Sequence, residues 1–443
     1  MKQKRVTFIV FIILLTLFIS VGLYLFLSYN INIDSIVINV DKYLNDNNLY
    51  NINVLYKENK EMSCSLDNKN WYTLDKCHFE VQEGSYKLYL KNKYFSSNKD
   101  FEVIKQISGT FTSSLDKLDI YYLALNGYKK IDFIFNYESD FPKTIKWYIE
   151  DKNILSINDN TIYGKSVGTT TITATLKDGN SKTYNVMVTD LINPPTLDNN
   201  KSYLPCKNYT EEENVLLDKI LESRVIEAGV GTRGGVLAAA RFLTLEFPYT
   251  IRYFNENGRL VDHGWRPHID GEGRYYHKGL YLSEAKYDEL EKGASTKSGP
   301  KMWGCKIYDR FVKRYNMNGF TCSGFVTWAM LNGGFDVGDV GAGNYKQFND
   351  DLSDLGEHKK ITKEYMKNGN YKVGDFIARN GHAALIIGID KDYIYTAESL
   401  PPKLKVYKYG RYEGIVRDTN LTYIIEMSDI YPNGDGIYTN MWY

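Results

Sequence analysis

The chain has 443 residues, and its 54 Lys and Arg are balanced by 54 Asp and Glu. At roughly 150 residues per domain there is room for about three domains, and the zero net charge argues against a nucleic-acid binder. With 43% hydrophobic and 24% charged residues the composition excludes a wholly disordered or collagen-like chain.

Lys2, Lys4 and Arg5 precede an uncharged run from Val6 to Leu27, about the ~20 residues that cross a bilayer and longer than the ~7–15 of a secretory signal core. Residues 1–30 are therefore expected to form a cytoplasmic stub and a transmembrane helix. The basic flank puts the N-terminus inside and everything after Ser28 outside the membrane. Ser20 and Gly22 imitate a cleavage site, which leaves a removed signal peptide as the alternative. Leu23 to Leu27 continue the apolar run past it.

Residues 31–106 contain short alternating runs such as SYKLYL and KDFEVI between Asn, Asp and Gly turns, the pattern of a small antiparallel β-sandwich. Cys64 and Cys77 bracket SLDNKNWYTLDK there, either as a bridge or as two separate buried thiols. Residues 107–190 are again strand-like, with Trp147 in KTIKWYI, then GTTTITATL and NSKTYNVMV. This stretch resembles the bacterial immunoglobulin-like domains of the second group. The resemblance implies a spacer or adhesive module, and no polar cluster in it suggests chemistry.

Pro194, Pro195 and Pro205 fall in a polar segment, residues 191–209, that reads as a stiffened linker. Thr210 followed by Glu213 makes a capping box opening a helix with Leu217, Ile220, Leu221, Val225 and Ala228 on its apolar face. A second helix is expected from Gly234 through AAARFLTLEF to Pro248, so the pattern changes here from strands to α+β.

The strongest chemical signal is GFTCSGFVTWAMLNGG. Cys322, Phe325, Val326, Ala329 and Met330 fall at helical spacing and Gly333 and Gly334 close the run, which places Cys322 at or near a helix N-terminus. Unpaired N–H groups and the helix dipole favour thiolate there. A small buried core residue is the other reading of the same position. About sixty residues on, YKVGDFIARNGHAALIIGIDKDYIYTAESL reads as a turn, a strand from His382 to Ile389, a tight turn and a returning strand. His382 opens an otherwise apolar strand as a candidate general base or as an edge histidine. Glu398 breaks the apolar return strand as a candidate for orienting the imidazole or as a solvated carboxylate, with Ser399 as the next candidate.

TCSGFVTWAM, then VGDFIARNGHAALIIG, then a polar residue on the following strand, resembles the NlpC-like cell-wall cysteine peptidases. The resemblance covers residues 210–443, most clearly Gly319 to Leu400. It implies a papain-like α+β domain in a multidomain chain, behind the transmembrane helix and two all-β immunoglobulin-like sandwiches. By it Cys322 is the nucleophile, His382 the base and Glu398 the third member, with Thr321 and Ser323 in contact with substrate. The Cys322 backbone N–H helps form the oxyanion hole. The implied substrate is the peptidoglycan stem peptide, and the chemistry needs neither cofactor nor metal. The family commonly has Asp before the Cys where this chain has Thr321, and His, Asn or Gln where it has Glu398. An acidic third member is also a feature of the cysteine- and histidine-dependent amidohydrolases, so peptidase and amidase both remain open.

Pairing Cys206 with Cys305 would leave Cys322 as the free thiol that an odd count requires. Between them VDHGWRPHIDGEGRYYH holds His263, His268 and His277 with Asp262, Asp270 and Glu272, scattered among Gly and Pro as a loop is and without the spacing of a metal site. Tyr249, Tyr253, Trp265, Tyr275 and Tyr276 are either groove-lining or core aromatics. Three functions compete: an anchored peptidoglycan hydrolase, an adhesin with a degenerate hydrolase domain, and an acyltransferase using the same thiol.

Overall fold

The computed structural model describes residues 2–45, 47, 49–57, 61–104, 109–136, 144–254, 278–283, 302–309, 313–335, 357–379, 381–418, 421–431 and 433–442. His263, His268, His277, Asp262, Asp270, Glu272, Trp265, Tyr275 and Tyr276 lie outside the described residues. The chain divides into two compact units, one of residues 1–112, 134–148 and 173–182, the other of residues 113–133, 149–172 and 183–443.

The first unit begins with a single 28-residue helix, Lys2–Tyr29. Its described apolar side chains face outward, Phe18 being 79% exposed and Leu14 62%. Among the described residues, which omit several side chains of this helix, no helix is long and apolar enough to cross a membrane. Two antiparallel sheets follow. Strands Ile36–Leu44, Tyr50–Tyr56 and His78–Val81 form one, and Tyr72–Thr73, Ser63–Ser65, Gly84–Lys91 and Ser96–Val103 form the other. Strand alternation buries Tyr50, Ile52 and Val54 on one face of the first sheet, and they share a core with Leu88, Leu90 and Val103. Cys64 and Cys77 are disulfide-bonded within that core, with Cα atoms 6.1 Å apart, so the bridge and not the separate thiols is realised.

The second unit starts with strand Ile120–Ala124, which runs parallel to the end of strand Ser181–Thr189. Tyr128–Lys130, Thr161–Gly164 and Leu155–Asn158 make a three-stranded antiparallel sheet beside them. The strands expected around Trp147 and in the Thr-rich run form at Lys146–Ile149 and Gly168–Thr175. Strand Ile120–Ala124 is not a free-standing spacer element, because Tyr122 and Ala124 lie in the same hydrophobic core as Leu217, Leu221 and Leu243 of the C-terminal part. Polar groups close the same junction. The Arg224 guanidinium chelates Glu246 at 2.9–3.3 Å and donates to the Tyr122 carbonyl at 2.8 Å, while Glu227 accepts from Lys129 at 2.5 Å and from Ser114 at 3.2 Å.

Residues 191–209 carry no helix or strand beyond an isolated bridge between Tyr203 and Thr250, yet they are packed: Ile192 and Leu204 are buried, and the buried Lys201 ammonium donates to the Thr244 and Phe247 carbonyls at 2.8 and 2.7 Å. A disulfide from Cys206 to Cys305, Cα atoms 4.4 Å apart, ties the segment down. Helix α1 (Glu211–Ala228) opens with the Thr210–Glu213 capping box, an arrangement that contributes about 1 kcal/mol. Helix α2 (Arg233–Arg241) runs on through one π-helical turn to Glu246.

The rest of this unit holds, beside a two-stranded sheet of Lys306–Asp309 and Arg314–Met317, an eight-stranded sheet built from β1 (Arg252–Tyr253), β2 (Gly319–Phe320), β3 (Glu357–Lys360), β4 (Phe376–Arg379), β5 (His382–Ile389), β6 (Tyr393–Leu400), β7 (Lys403–Gly410) and β8 (Tyr423–Glu426), in the order β2-β1-β7-β6-β5-β4-β8-β3. Helix α3 (Cys322–Asn332) follows β2 directly and packs on β5, β6 and α2. Both faces of β5 are buried along its whole length, as expected of a central strand covered on two sides. This α+β arrangement puts the start of α3 beside the start of β5.

Candidate active site

Thr321 ends the approach from β2 in an extended conformation, φ −81° and ψ 178°, and its hydroxyl accepts from the Gly324 N–H at 3.1 Å. That cap makes Cys322 the first residue of α3. Ser399 holds the approach from the other side, its hydroxyl donating to the Phe320 carbonyl at 2.9 Å. With Cys64–Cys77 and Cys206–Cys305 bridged, Cys322 is the free cysteine, 7% exposed. The thiol donates a long contact, 3.9 Å, to the Gly381 carbonyl.

Gly381, at φ +79°, turns the chain into β5 and delivers His382 to this point. His382 is 2% exposed, and its Nε2 lies 2.7 Å from Oε2 of Glu398, itself 1% exposed. The other carboxylate oxygen, Oε1, accepts from the hydroxyls of Thr396 and of Tyr409, the latter at 3.0 Å. Period-two alternation explains the grouping: Thr396 and Glu398 share one face of β6, and Ser399 lies on the opposite face. Nδ1 of His382 is buried and makes no hydrogen bond among the described residues.

The thiol and the imidazole shift each other. Burial pushes the Cys322 thiol up, but His382 and the backbone N–H groups of Ala383 and Ser323 outweigh it and bring the thiol below its ordinary value. Burial pulls His382 down, but Cys322 and Glu398 outweigh it and raise the imidazole from 6.5 to about 9. Both shifts act in the same direction, towards thiolate beside imidazolium, the activated form of a cysteine nucleophile.

The structure therefore brings Cys322, His382 and Glu398 together. Thr321 acts as the helix cap, and Ser323, 7% exposed, lies with its hydroxyl 3.5 Å from that of Thr321. Ser399 points away and serves the backbone. The Gly-Asp turn is structural: Gly374 takes φ +86°, and Asp375, 1% exposed, accepts from Arg233 at 2.7 Å and from the Lys372 and Met427 N–H groups at 2.7 and 3.0 Å. Arg233, Thr396 and Tyr409 are absent from the sequence-based expectations. The signal for Thr396 was its place two residues before Glu398; Arg233 carried none, since its partner lies 142 residues away. Among the described residues no group of three or more His, Cys, Asp or Glu converges as a metal site would.

No protein-family profile matches the chain, and no curated protein matches it. Solved structures similar to it include domains 4 and 5 of the S-layer protein SbsC, 10% identical over 34% of this chain and 96% of that one, TM-score 0.16. The chain spans 28% of a longer SbsC segment. An intimin mutant of EHEC O157:H7 is 14% identical over 26% of this chain and 66% of that one, TM-score 0.15. The N-terminal eight Ig domains of the Down Syndrome Cell Adhesion Molecule are 10% identical over 35% of this chain and 24% of that one, TM-score 0.15. Likenesses at these TM-scores carry no argument about function.

Proposed function

We propose that the chain is a membrane-anchored, extracytoplasmic cysteine hydrolase that cleaves amide bonds in peptidoglycan stem peptides, with a papain-like NlpC-type C-terminal domain. The observation that carries the proposal is the alignment of the α3 N-terminal thiol, the buried His382 and the 2.7 Å His382–Glu398 hydrogen bond in one place. The Cys322 thiolate attacks the amide carbonyl, forming a C–S bond. Imidazolium His382 gives its proton to the departing amine as the C–N bond breaks. Water then adds to the acyl-enzyme with neutral His382 as base, and the thiolate leaves to regenerate the ion pair. Glu398 keeps the imidazole in the tautomer that faces the sulfur. The anchor rests on the uncharged run from Val6 to Leu27 behind Lys2, Lys4 and Arg5.

Thr321 spends its hydroxyl on the helix cap, where the resembling family places an Asp that fixes a free amine by a charge-assisted contact. Cleavage of intact, glycan-linked peptides with no preference for a free N-terminus follows. The test is digestion of purified sacculi with mass spectrometry of the released muropeptides. New amine and carboxyl ends with the wild type and none with Cys322→Ala support the proposal; equal turnover by Cys322→Ala refutes it. An adhesin with a degenerate hydrolase domain is the competing function, supported by the β-rich first unit, and it predicts sacculus binding with no turnover by the wild type. Transfer to an added amine in place of water would identify the acyltransferase variant.

A further inference from the structure

We infer that Tyr409 and Thr396 are positioning residues of this site, clamping the outer oxygen of Glu398 so that its inner oxygen stays on His382. The inference rests on the proposed thiol chemistry and extends it to two residues that touch neither the sulfur nor the substrate. Glu398 divides its hydrogen bonds cleanly, Oε2 to the imidazole and Oε1 to the two hydroxyls. The terminal torsion of a glutamate is broad, so a carboxylate held at one oxygen alone is free to swing its charge out of line with the ring. Two donors on the second oxygen remove that freedom.

Each donor is itself held. Thr396 is fully buried two residues before Glu398 on the same face of β6. Tyr409, on β7, stacks on Tyr407 with ring centroids 6.2 Å apart and planes within 6°. Burial and the neighbouring carboxylate raise the Tyr409 phenol above its ordinary value, so it remains a protonated donor at any working pH. The register also explains why Glu398 is not lost to a lysine. Lys405 stands directly opposite it across the β6–β7 ladder, but the Lys405 ammonium lies over the Tyr407 ring, 4.2 Å from its centroid. Among the described residues the carboxylate thus bonds Thr396, Tyr409 and His382 and faces Lys405, and the imidazole is the cationic group that pairs with it.

The experiment uses the full chain with Tyr409→Phe, Thr396→Val and both together. Cys322 is its free cysteine, so the pH profile of alkylation by iodoacetamide reports this thiol, and the NMR titration of the His382 ring reports its partner. The double variant is expected to lose about tenfold in alkylation rate at neutral pH and to lower the His382 midpoint by about one pH unit, the equivalent free energy. Tyr409→Phe made on a Glu398→Gln background is expected to add less than about twofold, because it acts through the carboxylate. An unchanged alkylation profile and His382 midpoint in the double variant overturn the inference, as does an equal effect of Tyr409→Phe with and without Glu398. Tyr409→Phe deletes a single oxygen and carries the test by itself if the Thr396 variant does not fold. Absence of a reactive thiolate in the wild type would sink the proposed function, while the His382 titration would still report the clamp.

Discussion

Replacing Asp375 by Ala is expected to destabilise the second unit by about 3–5 kcal/mol, because the carboxylate belongs to a buried ion pair whose other member cannot be neutralised. Arg233 and Asp375 are 0% and 1% exposed, and their contact is 2.7 Å. Burial pushes the Asp375 carboxyl up and Arg233 pulls it back. The substitution removes the acceptor of one of the two Arg233 Nη1 N–H groups and orphans the Lys372 and Met427 N–H groups, and an unsatisfied buried donor costs about 1–3 kcal/mol. Arg233 keeps the Val373 carbonyl, Ser428 and Asp435, which holds the total within that range. Asp435 is the internal control: its side chain is 42% exposed, and its loss should cost no more than about 1 kcal/mol. The assay is urea unfolding followed by tryptophan fluorescence, with Cys322 alkylation measured on the folded variant. A cost for Asp375→Ala no larger than that for Asp435→Ala would refute the structural account of the Gly-Asp turn. So would full stability with lost thiol reactivity, which would place Asp375 in the chemistry.

Cys322→Ala and His382→Ala should each abolish turnover, Cys322→Ala leaving the melting temperature within a few degrees, and Glu398→Gln should reduce the rate less, read by muropeptide release. Because folding raises His382 from 6.5 to about 9, it contributes stability that is fully present below pH 6.5 and lost as pH rises through about 9; the stability difference between wild type and His382→Ala should shrink across that window in urea titrations. Replacing both Cys206 and Cys305 by Ser should cost about 4–5 kcal/mol, the value for a loop near the 99-residue separation they close, and a loss below about 1 kcal/mol would count against that constraint. Glu227→Ala, which leaves Lys129 and Ser114 without their shared acceptor, should lower stability by about 1–3 kcal/mol. It should do so within the single unfolding transition of the second unit, since strand Ile120–Ala124 and the C-terminal helices share a core; hydrogen exchange showing that strand opening ahead of those helices would contradict that.

What the sequence made legible was local. Hydrophobic periodicity located α3 and the strand pair β5–β6, with the bounds of β5 and the Thr210 cap of α1 readable from the residues themselves. Short-range chemistry sufficed because the caps and turns involve residues three or four apart. The spacer reading of residues 107–190 lacked any such cue. The outward pattern of a half-buried strand is the same whether its second face meets water or a neighbouring helix, and only tertiary packing puts Tyr122 and Ala124 into the core of Leu217 and Leu243.

The candidate site divides along the same line. Cys322, His382 and Glu398 stood out because each is polar or reactive at a position where its element demands an apolar residue, and that misfit is visible in one dimension. Thr396 and Tyr409 are ordinary strand formers, so their presence in β6 and β7 breaks no rule. Their role follows from two facts that periodicity does not contain. One is the alternation that places Thr396 on the Glu398 face. The other is the β6–β7 register, in which Lys405 faces Glu398 while Tyr409, paired with Ile394, still reaches the carboxylate through its longer side chain. A carboxylate buried to 1% exposure needs partners for both oxygens. Once Glu398 is placed on a covered strand, a donor beyond the histidine becomes a structural requirement for its second oxygen, and strand alternation and the pairing register identify the two side chains that meet it.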